Sequence, residues 1–166
     1  MQATLDDVPD IFDVSRQTWS STYQSKEYNI TEQDQVKIDG PQMQKIILKR
    51  QDEIKQNPWS YRIAKCEDKI VGYAWARKHR DLNELFAIYI LSEFQGKGIW
   101  KRLIEKIFEY LWKDKPIILQ VIWYNTQAIS FYQKNGFVFQ KKLPDRELVQ
   151  WKFVPEIQMI YDFKKQ

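Results

Sequence analysis

The chain has 166 residues, of which 43% are hydrophobic, 15% aromatic and 29% charged. That balance belongs to one globular domain over 1–166 and excludes a chain that is disordered throughout. A single cysteine, Cys66, excludes a disulfide scaffold and fits a reducing, cytoplasmic setting. No run approaches the ~20 apolar residues of a membrane span, and Met1 to Asp7 lacks the basic start and apolar run of a signal peptide. The formal net charge is +4, with basic residues spread along the chain. That spread reads as a solvated surface rather than a nucleic-acid footprint.

In chain order, Thr4 to Asp7 has the form of a capping box with Asp7 in the usual place of Glu. Val8, Ile11, Phe12, Ser15 and Trp19 follow at helical spacing. Glu32 to Lys37 reads as a short helix. Pro41 suits the first turn of another, which carries Met43, Ile46, Ile47, Arg50 and Ile54 on one side and stops at Asn57-Pro58. Ser60 to Lys65 and Ile70 to Arg77 form two strands around a tight turn at Glu67-Asp68, and Glu84 to Ile90 is a third. Gly98 opens a helix striped by Leu103, Ile104, Ile107, Phe108 and Leu111. Ile117 to Ile122 is a continuous apolar run, as in a strand covered on both faces. Asn125 to Lys134 is a short helix ended by Asn135-Gly136, and Phe137 to Gln140 and Glu156 to Phe163 are closing strands. This order predicts an α/β (α+β) domain with helices on a central sheet.

Ile88 to Trp100 is a strand, a loop containing Gly96 and Gly98, and a helix start. The glycines let backbone approach a ligand without a Cβ between, and the free N–H groups of the helix start form an anion site. No Gly-Lys-Ser/Thr follows, so it is not a Walker loop, and Lys101 stands where a dinucleotide fingerprint needs its third glycine. A plain turn and helix cap would look the same. About 27 residues on lies Asn125-Thr-Gln-Ala128-Ile-Ser-Phe131-Tyr132-Gln-Lys-Asn-Gly136-Phe137.

Together, Gln95-Gly-Lys-Gly98-Ile-Trp100 and this second segment resemble the GNAT superfamily of acetyl-CoA-dependent N-acetyltransferases. The strand and helix order agrees over essentially the whole chain. The resemblance implies a mostly antiparallel sheet of about six to seven strands and about four helices. Its fourth and fifth strands start parallel and then part, and acetyl-CoA sits between them. It implies that backbone groups of Ile88, Tyr89 and Ile90 pair with the pantetheine arm and that N–H groups along Gln95, Gly96, Lys97, Gly98, Ile99, Trp100 and Lys101 hold the pyrophosphate. Asn125 would contact the pantetheine and Tyr132 would protonate the departing thiolate. Lys134, Lys101 and Arg102 are partners for the nucleotide phosphates. No metal is implied, and dimers are frequent in the family.

Three departures stand out. Trp100 replaces a small residue at the end of the loop. The chain begins so close to its first helix that the family's first strand must be short or truncated. Gln120 stands where some amino-terminal acetyltransferases carry a glutamate base. Glu84, at a strand start where many members have a carboxylate, is the first candidate for that base; a strand-end residue pairing with a basic group reads equally well. His79, the lone histidine, and Glu93 read as surface residues. Tyr132 also reads as a packing residue beside Phe131.

The acceptor site in this superfamily is built by the first two helices and the loop after them, which here contain Trp19, Tyr23 and Tyr28. Trp-x-x-x-Tyr at this place is similar to the subgroup that includes polyamine acetyltransferases. Aromatics near Glu27, Glu32 and Asp34 suit an alkyl-ammonium; a helix with Trp19 in the core and Tyr23 at a surface edge is the alternative. The expected acceptor is therefore a small-molecule amine such as a polyamine, with a protein amino terminus or lysine as runner-up. Trp100 and Gln120 also leave open a non-catalytic acetyl-CoA-binding domain.

Overall fold

The computed structural model describes residues 1–34, 40–111, 113–149 and 151–165. Helix α1, Val8–Thr22, is followed by a 3-10 turn at Glu32–Asp34 and by α2, Gly40–Gln56. Strands β1 (Tyr61–Cys66), β2 (Lys69–Lys78) and β3 (Asn83–Ile90) come next, then α3 (Ile99–Leu111) and β4 (Ile117–Ile122). Helix α4 (Thr126–Lys134) and the long strands β5 (Val138–Val149) and β6 (Lys152–Tyr161) complete the order. No helix among the described residues is long and apolar enough to cross a membrane.

The six strands form one sheet in the order β1-β2-β3-β4-β6-β5. Pairing is antiparallel except between β3 and β4, which run parallel. Strand alternation sends Ala74 and Ala76 of β2 to one face and Tyr73 and Trp75 to the other. The small alanines let α3 settle closely on the first face, where Ile104, Ile107 and Leu111 pack against Leu85, Leu119 and Met159. On the second face Val8, Ile11 and Val14 of α1 and Ile54 of α2 bury against Ile63 and Tyr73. Burying an aliphatic side chain in this way contributes about 1.5–3 kcal/mol, so the two cores fix the helices to opposite faces.

Several sequence expectations need correction. The helix expected at Glu32 to Lys37 is a 3-10 turn at Glu32–Asp34, and 35–37 lie outside the described residues. Thr4 is not a helix cap, because α1 starts at Val8 after Asp7. The Asp7 carboxylate instead turns back to accept from the Thr4 N–H and hydroxyl and to pair with Lys65 at 2.9 Å. Burial pushes that carboxyl up, but Lys65 and Thr4 outweigh it and hold its pKa below the usual range. The first strand is reduced to one antiparallel bridge, Gln2 to Arg62. The family's fourth and fifth strands are therefore β3 and β4. Strand β5 runs to Val149 rather than ending at Gln140. It is an edge strand with mostly exposed residues, so Pro144 and the charges of its second half break no buried ladder.

Candidate active site

Strands β3 and β4 are paired only from Asn83–Ile117 to Leu85–Leu119. Beyond that they part. In the ladder between β2 and β3, Ala76 faces Leu85 and Trp75 faces Ala87, so Phe86 is an extra, bulged residue. A bulge bends its strand and increases the local twist. It falls where pairing with β4 stops, and a cleft of about 400 Å³ opens there.

The exposed strand edge can be assigned from the hydrogen-bond pattern. The Leu91 N–H donates to the Val71 carbonyl across the β2 side. Alternation then turns the Tyr89 backbone toward β2 and the backbone of Ile88 and Ile90 toward the cleft. The Ile90 carbonyl accepts from Gln95 Nε2 at 3.2 Å, which ties the strand end to the loop. The Ile88 groups and the Ile90 N–H face the space that β4 has left. Of the three backbones expected to pair with a ligand, those of Ile88 and Ile90 are turned to it. Tyr89 contributes its side chain instead.

The loop closes one end of the cleft. Gly96 and Gly98 have φ of +73° and +72°, and a Cβ at either would stand with nothing within 4 Å. Gly96, Gly98, Ile99, Trp100 and Lys101 line the opening. The first helical bond there runs from the Arg102 N–H to the Gly98 carbonyl at 3.3 Å, so the amides before Arg102 open the helix. Lys101 reaches the cleft. Lys97 lies over the Phe94 ring at 4.8 Å, and Lys134 is exposed in the last turn of α4; neither is in the cleft wall.

Helix α4 forms the opposite wall. Its cap is Asn125, whose side chain accepts from the Ala128 N–H at 3.1 Å. Tyr132 points into the cleft, and the Phe137 N–H donates to its carbonyl at 3.0 Å. Burial, and then the nearby Tyr89, push the Tyr132 phenol well above the usual tyrosine value.

The far side of the cleft is built by α1 and by the side chains of β3. Thr18, Thr22 and Tyr23 come from α1, Phe86, Ala87 and Tyr89 from β3, and Gln120 from β4. All seven are uncharged. The Tyr23 and Tyr89 hydroxyls lie 3.4 Å apart, and burial holds both phenols above their ordinary pKa. The opening thus passes through the sheet, from the α3–α4 face to the α1 face. Thr18, Thr22 and the Tyr89 side chain went unnoticed in the sequence. The signal for the α1 pair was their i, i+4 spacing one residue before Tyr23.

Of the other expected acceptor residues, Trp19 packs on Tyr23 at 5.3 Å between centroids and Tyr28 stacks on Tyr124 at 5.3 Å. Both support the wall from behind, in the small core around Ile30, Ile122 and Val154. Asp34 is held by Lys152 at 2.7 Å and Glu156 by Arg146 at 3.1 Å. The structure does not bring Glu84 to the cleft. It sits at the paired end of β3, opposite Ile118, and its carboxylate meets His79 Nε2 at 3.1 Å. Among the described residues, no group of three or more His, Cys, Asp or Glu is placed to hold a metal.

The mixed sheet has a parallel pair that separates over a glycine loop and helix start. Residues 9–137 match the model of the acetyltransferase (GNAT) family, and the chain belongs to that family. The mycothiol acetyltransferase of Streptomyces griseus is 30% identical over 94 residues, which are 52% of this chain and 31% of that protein. The matched stretch thus spans less than a third of that relative's length. Among solved structures, the PaiA N-acetyltransferase from Thermoplasma acidophilum, in complex with coenzyme A, superposes with a TM-score of 0.70 at 22% identity, covering 98% of this chain and 96% of that one. Chaetomium thermophilum Naa20, in complex with a bisubstrate analogue, gives 0.71 at 14% identity, covering 99% and 86%. At these identities the structural likeness concerns the fold.

Proposed function

We propose that the protein transfers the acetyl group of acetyl-CoA to the primary amine of a small molecule. The observation that carries this reading is the cleft itself. A strand edge at Ile88 and Ile90, an amide-rich glycine loop and a half-buried tyrosine on α4 surround an opening that also reaches the α1 face. The strand edge fits the amide-bearing pantetheine arm as an added strand would. The N–H groups from Gly96 to Lys101 fit a pyrophosphate, with Lys101 as a nearby cation. The coenzyme A bound to PaiA supports the same assignment.

Acetyl-CoA supplies the activated carbonyl. The acceptor nitrogen enters from the Thr18–Tyr23 side and attacks it, forming the C–N bond as the C–S bond breaks. Tyr132 stands on the opposite wall with a phenol that burial keeps protonated, and it gives its proton to the departing sulfur. The acceptor must arrive as a neutral amine. An alkyl amine of pKa near 10.4 is only about one part in two thousand neutral at pH 7, whereas an α-amine of pKa near 8 is about one part in ten. The seven uncharged side chains of the acceptor wall orient an amine but take no proton from it at neutral pH, so water receives that proton and returns one to the Tyr132 phenolate, restoring the phenol. Tyr23 and Tyr89 offer hydroxyl oxygens for the amine N–H groups.

Thiol release from acetyl-CoA with spermidine, spermine, aminoglycosides, amino acids and short peptides tests the reading. Release with one small-molecule class supports it and names the acceptor. Release with peptides alone moves the acceptor to a protein amino terminus or lysine. Tight acetyl-CoA binding without release from any acceptor overturns catalysis in favour of a binding domain.

A further inference from the structure

Trp100 occupies the first turn of α3, directly after the glycine loop, and its ring crosses to α4. Its centroid lies 3.6 Å from that of Phe131, with the planes at 86°, and 6.4 Å from that of Tyr132. The indole N–H is buried and has no hydrogen-bond acceptor. An orphaned buried donor is costly, so contact and not hydrogen bonding keeps the ring there. Helix α4 has 9 residues, none of them fully buried; Ala128, Ile129 and Tyr132 pack partly buried against the core, and Phe131 packs on Trp100. Its ends are fixed by the Asn125 cap and by the Phe137 N–H on the Tyr132 carbonyl. Between them, Phe131 meets Trp100 on one side and Tyr132 on the other, the latter at 5.8 Å.

We propose that Trp100 is a positioning residue for the reaction: it braces α4 through Phe131 and so sets where the Tyr132 hydroxyl stands relative to the ligand held by the glycine loop. This rests on the acetyl-transfer reading above. The loop proposed to grip the pyrophosphate and the helix proposed to carry the acid are joined through the Trp100 ring, which packs edge-on against Phe131 and lies near Tyr132. The distance from phosphate anchor to phenol is therefore fixed within the protein. A displacement of about 1 Å in such a constellation can cost on the order of a hundredfold in rate. The backbone N–H at position 100 serves the loop whatever its side chain, so the brace and the grip can be separated by substitution.

The test is a double-mutant cycle between Trp100→Ala and Tyr132→Phe, measured by kcat for thiol release and by coenzyme A titration. Trp100→Ala should lower kcat about tenfold or more while the Kd for coenzyme A stays within about threefold. Trp100→Phe should restore most of the rate. In the Tyr132→Phe background, Trp100→Ala should change kcat by less than about twofold, because its route of action is already gone. Independent, multiplicative effects overturn the proposal, as does a loss confined to coenzyme A affinity. Phe131→Ala breaks the same contact from the other side and must give the same pattern, which covers a Trp100→Ala protein that does not fold. If Tyr132→Phe turns over like the parent, the acid assignment fails and the brace falls with it. Additivity with an impaired Tyr132→Phe rejects the brace alone.

Discussion

Leu85 of β3 and Leu119 of β4 are the last paired residues of two strands that run parallel for three residues and then part. Phe86, the next residue, is bulged out of the ladder with β2. Both leucines are almost fully buried beneath α3, so the closed end of the fork is rigid. The open end leaves the backbone of Ile88 and Ile90 facing a gap. Because the gap passes through the sheet, a ligand held by the α3 loop and one entering past α1 approach from opposite faces. Tyr132, Tyr89 and Tyr23 line the cleft between those two entrances.

Tyr132→Phe removes the hydroxyl that we propose protonates the departing sulfur and leaves the ring contacts with Phe131 and Phe137 in place. Loss of a general acid costs about a hundredfold or more. We expect kcat to fall by that order with coenzyme A affinity unchanged, read by stopped-time thiol assays and by titration. The pH profile follows from the same group. An unperturbed phenol, of pKa about 10, would be half ionised at pH 10. The raised value keeps the Tyr132 proton in place there, so its ionisation brings no decline in rate up to pH 10. A fall near pH 9 that vanishes in Tyr132→Phe would contradict the raised value.

Gly96 and Gly98 hold positive φ with open space where a Cβ would be. Placing a Cβ in that conformation costs roughly 1–2 kcal/mol, and 1 kcal/mol lowers Tm by about 2–4 °C in a domain of this size. Gly98→Ala should therefore lower Tm by a few degrees. It should also weaken coenzyme A binding, because the new methyl stands in the mouth of the cleft. Gly40→Ala, at the start of α2 and equally uncrowded but without a positive φ, should leave both unchanged. Equal behaviour of the two variants in calorimetry and titration would remove the conformational argument.

Much of this was legible in the residues. The stripe of α3 and the continuous apolar run of β4 mark elements buried against a core, and their periods are unambiguous. The glycine loop and the Asn125-to-Phe137 segment identified the family on their own. The bulge at Phe86 was not legible, because a bulge is a property of the pairing and the sequence Glu-Leu-Phe-Ala-Ile reads as an unbroken strand. For the same reason Glu84 looked close to the chemistry. Without the register, its distance from the fork's opening was hidden. The second half of β5 was missed because an exposed edge strand carries no hydrophobic alternation. The sequence points to the Tyr89 backbone, whereas the structure turns that backbone toward β2 and carries its side chain to Tyr23 on the α1 face.

Asp34 ties the segment after α1 to the β5–β6 hairpin. Lys152, then the Thr31 N–H, bring its carboxyl down to about 2, against the opposing effect of desolvation. Lys152 also donates to the Asn29 carbonyl. A depressed folded-state pKa means the stabilisation is complete above the unfolded value, near 4, and is lost as pH falls from there to about 2. Tm should thus fall more steeply between pH 4 and pH 2 in the parent than in Asp34→Asn, which has no proton to take up. Parallel curves in a pH series of thermal melts would show that the pair contributes nothing.

Tyr23→Phe and Glu84→Gln separate the two ends of the fork. Tyr23 meets Tyr89 at 3.4 Å on the acceptor wall, whereas Glu84 is paired with His79 outside the cleft. Removing the Tyr23 hydroxyl takes away one acceptor for the incoming amine. A neutral hydrogen bond is worth about 0.5–1.5 kcal/mol, so the acceptor KM should rise about two- to tenfold with coenzyme A affinity unchanged. Glu84→Gln should leave kcat and KM within about twofold, because its carboxylate pairs with His79 outside the cleft. Its rate should still climb with pH as the acceptor amine loses its own proton, levelling near that amine's pKa. If instead Glu84→Gln abolishes the rise, or cuts kcat most at low pH, the carboxylate reaches the reaction through water and the proton path runs along β3 after all.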